Sequence, residues 1–362
     1  MDIQLGTFIQ KQAILMKDEF NVFVIYVQGD PDLEKKFDFV ENKENGITER
    51  TVYFKQSKSS LRKIINARRY KLAQILAFKD SNFKPDLCHV HVPYRSAFLA
   101  LDLRKKGTPF VITEHWSGHI NGEYEHKNAA DLTIYKQVLG KAASLSTVSE
   151  LLKAHFKINT GFDSIVIPNL IEMQTGVEET PRGDNIEILS VSDLADDVKN
   201  VTGLITAFKQ AHDLNNKLSL TIIGGGPDEK ILTNLVKDLG LEEQINLKGR
   251  LEHKEVLKAY ASCDFYICNS NFETFGMTVA EAILAGKPVI CTKCGGPEEY
   301  VHSKNGILID PQSTDELSGA MLIMSDEYKM FNSKEISQEI QSKFGADNIK
   351  TQIKNFYLDA IK

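Results

Sequence analysis

The chain has 362 residues, of which 42% are hydrophobic and 25% are charged, and this length and composition are typical of a globular protein with two domains. Its 43 basic and 49 acidic residues give a formal net charge of −6, which argues against nucleic acid as a partner. The sequence contains neither the run of about 18 apolar residues that a membrane span needs nor an N-terminal signal-peptide pattern.

In chain order, short β-branched runs alternate with longer amphipathic segments, the pattern of an open parallel sheet with helices on its faces. The strands predicted in the first half are Val22–Val27, Leu87–Val92, Phe110–Thr113, Leu145–Val148 and Ile165–Ile167. Those predicted in the second half are Ile186–Val191, Leu218–Ile223, Ile245–Leu247, Phe265–Cys268, Val289–Cys291 and Gly306–Ile309. The helices predicted between the later strands are Val201–Leu214, Asp228–Leu239, His253–Ser262 and Thr278–Ala285. Two such sets predict an α/β protein with two doubly wound domains.

The stretch Lys55–Lys71 is strongly basic in an otherwise acidic protein, since seven of its seventeen residues are Lys or Arg. One interpretation is a solvated helix face. The other is a surface for anionic lipid or for a lipid-pyrophosphate acceptor.

A linker is predicted at Pro168–Arg182, because this stretch loses apolar periodicity and is bracketed by prolines. We therefore place an N-terminal domain at residues 1–168 and a C-terminal domain at residues 169–345. The final segment has apolar residues at helical spacing, and we predict that residues 346–362 form a helix that packs back on the first domain.

The segment Asn269–Gly286 follows a predicted buried strand and carries Glu273 in a loop and Glu281 in a helix. A helix N-terminus at the carboxyl end of a parallel strand offers N–H groups and a positive dipole end to a phosphate. Because the loop and the helix flank the same strand end, both carboxylates can face one cleft, where they suit sugar or ribose hydroxyls. On spacing alone, a solvated Glu273 and a helix-dipole role for Glu281 fit equally well.

The cysteines are an odd-numbered set, which favours reduced thiols in a cytoplasmic enzyme over a disulfide framework. Cys291 and Cys294 form a C-x-x-C pair. A zinc site would need a second ligand pair, and no Cys/His pair of suitable spacing is evident nearby. We interpret the pair as thiols at a strand end and predict no metal site.

The Asn269–Gly286 segment resembles the strongest sequence block of glycosyltransferase family 4, through E-x7-E within ETFGMTVAEAILAGKPVI and the CGGPEE that follows. Further matches occur in the order that the family requires: TVSE at 147–150, VIPN at 166–169, GGGP at 224–227 and LKGRL at 247–251. The resemblance covers nearly the whole chain. It implies the GT-B fold, in which two Rossmann-like domains face a cleft, with the acceptor on the first and the donor on the second. It also implies a retaining transfer that needs no metal ion or cofactor, with a nucleotide diphosphate sugar as donor substrate.

The resemblance implies a role for each matching residue of the second domain. Glu273 is expected to contact the donor sugar, and Glu281 to bind the ribose hydroxyls. Backbone groups are expected to meet the diphosphate and sugar at Phe275, Gly276 and Met277, and the base is expected at Arg250 and Leu251. Gly225, in the glycine-rich turn Gly224–Gly226, allows a tight turn near the nucleotide, and whether it contacts the nucleotide directly is left open.

The family usually has an Arg and a Lys after the first strand of this domain, where they stabilise the charge that grows on the leaving diphosphate. Here the segment reads VSDLADDVKN. Lys199 fits the lysine position with a one-residue difference in spacing, whereas Asp193 occupies the arginine position. A carboxylate cannot stabilise a pyrophosphate, so the usual pair of cations is incomplete in the sequence. A surface role for Lys199 remains the alternative.

In the first domain, the segment TEHWSGH at 113–119 begins where a predicted strand ends. His115 resembles the family's histidine that contacts the transferring sugar, and His119 is the weaker candidate. Trp116 fits either the acceptor cleft or a packing role.

The N-terminus departs from the family. The chain opens with MDIQLGTFIQKQA, in which Gly6 and Phe8 resemble the end of the family's first glycine-rich loop, so the first strand of the domain is missing. Either translation starts further upstream, or the domain lacks a central strand and has an exposed sheet edge.

The sequence therefore predicts transfer of a sugar, such as a hexose, from a nucleotide diphosphate sugar to a glycan or lipid-linked acceptor in surface polysaccharide assembly. The expected location is the cytoplasm, at the inner face of the cell membrane if Lys55–Lys71 binds lipid. The alternatives are a non-catalytic nucleotide-sugar-binding protein, which Asp193 and the missing strand suggest, and a GT-B epimerase or phosphorylase.

Overall fold

The computed structural model describes residues 7–79, 81–172 and 185–362. It divides into two compact units, which are described separately. The first comprises the chain up to Val148, Leu152–Leu170 and Ile349–Lys362, and the second comprises Ser149–Leu151 and Ile171–Asn348. These limits fall two and three residues beyond the predicted ends of the two domains at 168 and 345. Most of the predicted linker Pro168–Arg182 lies outside the described residues.

The first unit contains two sheets. Its strands are β1 (Phe23–Asp30), β2 (Phe37–Asn42), β3 (Thr48–Lys55), β4 (Cys88–His91), β5 (Phe110–Glu114), β6 (Ser144–Thr147) and β7 (Ile165–Val166). One sheet has the order β1-β3-β2, in which β3 is parallel to β1 and antiparallel to β2. The other has the order β4-β5-β6-β7 and is wholly parallel. The sequence predicted five of these strands and missed β2 and β3.

The helices up to Thr160 are α1 (Thr7–Leu15), α2 (Arg62–Lys79), α3 (Pro93–Ser96), α4 (Phe98–Arg104), α5 (Ala129–Leu139) and α6 (Glu150–Thr160). The core of the four-stranded sheet is aromatic and aliphatic, and its fully buried members include Phe110, Ile112 and Phe156. The predicted basic helix face is only partly helical, because Lys55 ends β3 and α2 begins at Arg62.

A cavity of about 1620 Å³ separates the two sheets of the first unit. It is lined by residues of both β1 and β4, which are end strands of their sheets among the described residues. Ala13 of α1 and Met16, which follows this helix, add to its apolar wall. Gly6, which carried part of the expectation of a missing first strand, lies outside the described residues.

The second unit has one parallel sheet with the order β10-β9-β8-β11-β12-β13. Its strands are β8 (Ile186–Val191), β9 (Leu218–Ile223), β10 (Ile245–Leu247), β11 (Phe265–Cys268), β12 (Val289–Thr292) and β13 (Gly306–Ile309). The predicted limits of these strands agree with the observed ones to within one residue.

The helices that follow are α7 (Asp196–Lys199), α8 (Val201–Leu214), α9 (Glu229–Asp238), α10 (His253–Ser262), α11 (Met277–Leu284), α12 (Thr314–Glu327), α13 (Ser333–Phe344) and α14 (Ala346–Ile361). From Ile349 onward, α14 belongs to the first unit. Short 3-10 turns occur at Ser117–His119, Gly296–Glu299 and Tyr328–Met330.

The strand order of the second unit reverses between β8 and β11. In an open parallel sheet, a crevice forms at this reversal outside the carboxyl ends of the strands, and ligands bind there. The segments after β8 and β11 therefore flank the expected binding crevice; the first carries Lys199 at the end of α7, and the second carries Glu273.

Candidate functional site

Lys199 and Glu273 meet at the crevice of the second unit. The ammonium Nζ of Lys199 lies 2.6 Å from Oε1 of Glu273, and both side chains are largely buried, with exposed fractions of 19% and 18%. The hydroxyl of Ser270 donates to the same carboxylate oxygen at 2.8 Å. The sequence analysis gave separate roles to Lys199 and Glu273 and did not predict that they pair. It gave no role to Ser270.

Asparagine side chains hold the two loops of the crevice together. Asn269 donates to the carbonyl oxygen of Asn200 at 2.8 Å, and Asn271 donates to that of Asp197 at 2.8 Å. Asn200 itself has a left-handed backbone, with φ of 46°, and its side chain accepts from the N–H of Gly203 at the start of α8. The turn therefore ends on a capped helix, and Lys199 points from it toward the Glu273 loop.

The crevice keeps Lys199 protonated. Burial acts to lower the pKa of Lys199, but the charge and hydrogen bond of Glu273 outweigh it, so the pKa lies above its ordinary value. A fixed cation at a strand switch point is suited to a diphosphate.

The start of α11 is shaped by Gly276. Its φ is +81°, and a Cβ atom there would lie 2.5 Å from Cγ of Pro297. The hydroxyl of Tyr300 donates to the carbonyl oxygens of Phe275 and Gly276 at 2.9 and 2.7 Å. These contacts fix the backbone from Phe275 to Met277, and the first turn of a helix presents N–H groups that lack intrahelical acceptors.

Glu281 lies within α11 and is 8% exposed. The hydroxyl of Tyr260 donates to its Oε2 at 3.3 Å and also lies 3.1 Å from the carbonyl oxygen of Thr278. The pKa of Tyr260 is raised well above its ordinary value by burial and then by the charge of Glu281. Tyr260 therefore stays a neutral donor that orients this carboxylate.

The glycine-rich turn packs against the loop after β8. A Cβ atom on Gly224 would lie 1.7 Å from the carbonyl oxygen of Ser192, and one on Gly226 would lie 2.4 Å from that of Leu194. At Gly225 the nearest atom would be 3.6 Å away, on Arg250. Loop packing thus explains the outer two glycines, whereas Gly225 is the one whose surroundings leave space.

Arg250 contacts Asp193, the residue at the position where the family usually has an arginine. Its Nη2 lies 3.2 Å from Oδ1 of Asp193 and 3.4 Å from the carbonyl oxygen of Gly225. The pair is well exposed, so its contribution to stability is small. A guanidinium nevertheless stands beside Asp193, and Leu251 follows it, half-buried.

In the first unit, His115 follows β5 beside His91, at the end of β4. Nε2 of His115 lies 3.0 Å from Nδ1 of His91, and the ring of Phe8 packs at 4.9 Å. Burial and then the neighbouring His91 hold the pKa of His115 well below its usual range, and burial lowers the pKa of His91 to about 4. Both imidazoles are therefore neutral at pH 7. The sequence did not single out His91, although the alternation CHVH at a strand end was a usable signal.

A buried carboxylate, Glu114, shapes the loop that carries His115. Its Oε1 accepts from the N–H groups of His115 and Trp116, both at 2.9 Å, and its Oε2 accepts from the hydroxyl of Tyr135. His119 is fully buried and contacts Tyr135 at 2.9 Å. His119 is therefore part of the support of this loop, and Glu114 is a positioning residue that the sequence missed.

The Trp116 ring covers Gly118, where a Cβ atom would lie 2.0 Å from it. This contact favours the packing interpretation of Trp116.

The basic stretch Lys55–Lys71 is exposed at its centre. Arg62, Lys63 and Arg68 are exposed, and Leu61 and Ile64 beside them are 61% and 55% exposed. Arg69, in contrast, donates to the carbonyl oxygen of Lys55. No helix among the described residues is long and apolar enough to cross a membrane.

The C-x-x-C pair has a third cysteine beside it. The Sγ atoms of Cys268, Cys291 and Cys294 lie within 4.8 Å of one another, and all three residues are buried. The interpretation of Cys291 and Cys294 as thiols at a strand end did not include this third cysteine. The third sulfur comes from the neighbouring strand, since Cys268 and Cys291 are register partners of β11 and β12.

Two family models match the chain. The model described as Glycosyltransferase Family 4 matches residues 14–175, and the model described as Glycosyl transferases group 1 matches residues 176–338. Together they account for nearly all of the chain, as the sequence motifs predicted.

Curated relatives carry glycosyltransferase names. An uncharacterized glycosyltransferase of Methanocaldococcus jannaschii is 30% identical over 170 residues, which cover 45% of this chain and 43% of that protein. TuaC of Bacillus subtilis, named for teichuronic acid biosynthesis, is 26% identical over 289 residues, which cover 77% of this chain and 72% of that protein. The chain thus matches less than half the length of the first relative.

Solved structures share the fold over almost the full length. Sucrose-phosphate synthase from Thermosynechococcus elongatus gives a TM-score of 0.78 at 16% identity, covering 98% of this chain and 92% of that chain. HepE of Anabaena, solved with UDP and glucose, gives 0.75 at 18% identity, covering 99% and 96%. At such identities the likeness shows the fold alone, and it confirms the predicted GT-B class with two Rossmann-like domains.

Proposed function

We propose, because this chain belongs to the glycosyltransferases of group 1 and family 4, that it moves a sugar from a nucleoside diphosphate sugar to an acceptor hydroxyl with retention at the anomeric carbon. The observation that carries the proposal is the Lys199–Glu273 pair at the strand switch point of the second unit. It supplies a held cation for the diphosphate and a carboxylate for sugar hydroxyls.

In the proposed reaction, the bond between the anomeric carbon and the diphosphate oxygen breaks while the acceptor oxygen bonds to the same face. The acceptor proton passes to an oxygen of the leaving phosphate. Negative charge grows on the diphosphate as the bond breaks, and the Lys199 ammonium and the N–H groups from Phe275 to Met277 stabilise it there. Glu281 holds the ribose, and Leu251 lies where the base is expected.

Arg250 is proposed as the second cation. Its guanidinium contacts Asp193, the residue at the position of the family's usual arginine. Asp193 therefore holds Arg250 at the same end of the sheet. The carboxylate of Asp193 then positions Arg250 rather than facing the pyrophosphate. This reading offsets the main sequence argument for a non-catalytic binding protein.

His115 is proposed to contact the transferred sugar as a neutral group. Burial and then His91 hold the pKa of His115 well below its usual range, so a neutral imidazole is expected at pH 7 and the proposed contact is a hydrogen bond through one ring nitrogen. His91 fixes which nitrogen that is, because it engages Nε2 of His115.

The proposed acceptor is a glycan or lipid-linked saccharide of surface polysaccharide assembly, used in the cytoplasm against the membrane. The name of TuaC supports this class. The exposed Arg62, Lys63 and Arg68, flanked by exposed Leu61 and Ile64, support contact with an anionic bilayer.

The test is a panel of nucleoside diphosphate sugars with and without saccharide acceptors, read by the anomeric configuration of the product. Release of nucleoside diphosphate together with a new glycoside of the donor's own configuration is expected. Conversion of the donor without acceptor would indicate an epimerase, and dependence on inorganic phosphate would indicate a phosphorylase. Donor binding without turnover would favour the binding protein.

Transfer is also expected to proceed without a divalent metal, because Lys199 and the first-turn N–H groups serve the diphosphate. Activity should therefore be unchanged after EDTA treatment. Loss of activity in EDTA, with recovery on adding Mn²⁺, would contradict this part of the proposal.

A further inference from the structure

The three buried thiols beside the crevice have the spacing of a metal-ligand set. Their Sγ atoms lie within 4.8 Å of one another. An ion with sulfur bonds of about 2.3 Å in a trigonal plane needs sulfur separations of about 4.0 Å, which small side-chain rotations would give here. Cys268 ends β11, Cys291 lies in β12, and Cys294 follows β12, so three backbone anchors hold the set in place.

The surroundings of the cluster also suit thiolates bound to a cation. Thiolate is the form that binds metals. The Lys199 ammonium, which interacts with Cys268, partly offsets the negative charge that further thiolates would bring.

We propose that Cys268, Cys291 and Cys294 form a site for Cu(I), and that its occupancy weakens donor binding. Soft thiolates select Cu(I) and Zn(II), but structural Zn(II) sites are almost always four-coordinate. Among the described residues, the cluster offers three potential ligands, one fewer than a four-coordinate Zn(II) site needs. Each metal–sulfur bond formed from a thiol releases one proton to solvent, and no redox step is involved.

The link to the donor site runs through Ser270 and through the backbone. The thiol of Cys268 donates to Oγ of Ser270 at 3.5 Å, and the Ser270 hydroxyl donates its single proton to Glu273. Metal binding removes the thiol proton, so the sulfur of Cys268 can then only accept, and it competes with Glu273 for the hydroxyl proton of Ser270. In addition, the N–H of Glu273 donates to the carbonyl oxygen of Cys294 at 2.7 Å, so a shift of Cys294 moves Glu273. This second half of the inference rests on the proposed function.

The test is transfer of Cu(I) from a chromophoric chelator to the reduced, full-length protein. One Cu(I) per chain is expected, with three sulfur ligands by X-ray absorption. Cys294→Ser should lower the affinity by more than about 100-fold, since loss of even an outer-shell partner costs about 10- to 100-fold. Cys263→Ser is the matched control, because Cys263 is buried in the same unit but outside the cluster, and its affinity should equal that of wild type.

Failure of wild type to take Cu(I), fewer than three sulfur ligands, a preference for Zn(II), or an equal loss in Cys263→Ser would each overturn the site. The sulfur count in wild type decides the question even if Cys294→Ser does not fold. Loading with Cu(I) should weaken binding of the donor identified by the panel at least about tenfold, the equivalent of one hydrogen bond to a charged group. Unchanged donor affinity at full occupancy would overturn the link. Donor binding absent from both metal-free and loaded protein would contradict the proposed function and leave the metal result standing.

Discussion

Lys199 lies 2.6 Å from Glu273, and its segment is held by two asparagines, Asn269 and Asn271, which donate to the carbonyl oxygens of Asn200 and Asp197 on either side of it. The ammonium group of Lys199 is thus preorganised, and a preorganised charge stabilises a transition state without reorganisation at the moment of reaction. Such a group contributes to the rate of the chemical step more than to ground-state binding.

Lys199→Gln is therefore predicted to lower kcat by about 100- to 1000-fold, the range seen when one preorganised donor is removed. The Kd for the donor should change much less. Steady-state kinetics with a titration of donor binding would measure both. Lys209→Gln is the matched control, since Lys209 lies on α8 and pairs with its helix neighbour Asp213. An unchanged kcat in Lys199→Gln would return Lys199 to a structural role.

Glu281→Gln is predicted to weaken nucleoside diphosphate binding by about 1–1.5 kcal/mol, roughly 5- to 13-fold in Kd, because ribose hydroxyls that bond to a charged acceptor would bond instead to a neutral amide. The substitution keeps the shape of a side chain that is only 8% exposed and keeps an acceptor for Tyr260. Calorimetry with free nucleotide measures the effect, and Glu327→Gln, an exposed carboxylate at the end of α12, should behave as wild type. Equal affinities for all three proteins would remove Glu281 from the site.

The site residues that sequence reasoning found are those inside one short motif, such as Glu273, Gly276 and Glu281. Those it missed act across segments. Ser270 matters because it donates to a carboxylate that Lys199 also holds, and Glu114 matters because it caps its own loop while receiving a bond from Tyr135. Their residue types are common in turns and strands, and only the fold reveals their partners.

At the scale of elements, strands buried on both faces were the easiest to predict. β11 and β12 are buried at every position, so they read as continuous apolar runs bounded by polar residues. β2 was missed because it is exposed along most of its length and alternates too little to stand out. A solvated helix face was one of two interpretations of the basic stretch, yet this stretch joins the end of β3, a loop and the start of α2. Charge alone does not mark where a strand gives way to a helix.

The exposed basic surface at the start of α2 is predicted to bind anionic membranes. Replacing Arg62, Lys63 and Arg68 with Gln is expected to weaken binding to anionic vesicles by about 3 kcal/mol, from about 1 kcal/mol for each basic residue. Arg69 is left unchanged because its guanidinium donates to the backbone of β3.

Vesicle co-sedimentation at low salt measures the effect of this triple variant. Its control is a triple Gln variant at the exposed Lys217, Lys230 and Lys237 of the second unit, which has the same change in net charge. If that control loses as much binding as the α2 variant, the attraction is a property of total charge and not of this surface. Absence of vesicle binding by wild type would end the hypothesis.

At the scale of the whole molecule, the two units differ in how their sheets are completed. The sheet of the second unit is continuous from β10 to β13, with β8 paired on both sides to β9 and β11. In the first unit, β1 and β4 each end a separate sheet and line the cavity of about 1620 Å³. A cavity of that size removes contacts that packed side chains would otherwise make, and strands at a sheet end lose one row of ladder hydrogen bonds.

Stability should therefore be distributed unevenly, with the first unit opening at lower free energy than the second. We predict that amides of β1 and β4 exchange with solvent at least about tenfold faster than those of β8, which corresponds to about 1.4 kcal/mol or more in opening free energy. Hydrogen exchange followed by mass spectrometry, with peptides covering Phe23–Asp30, Cys88–His91 and Ile186–Val191, measures the difference. β5 is the internal reference, because it is fully buried and paired on both sides within the first unit, and it should exchange more slowly than β1 and β4. A donor nucleotide should slow exchange at the loops after β8 and β11 and leave the contrast between β1 and β5 in place. Protection of β1 and β4 equal to that of β8 would show that their edges are covered in solution, and the cavity between the two sheets would then not weaken the first unit.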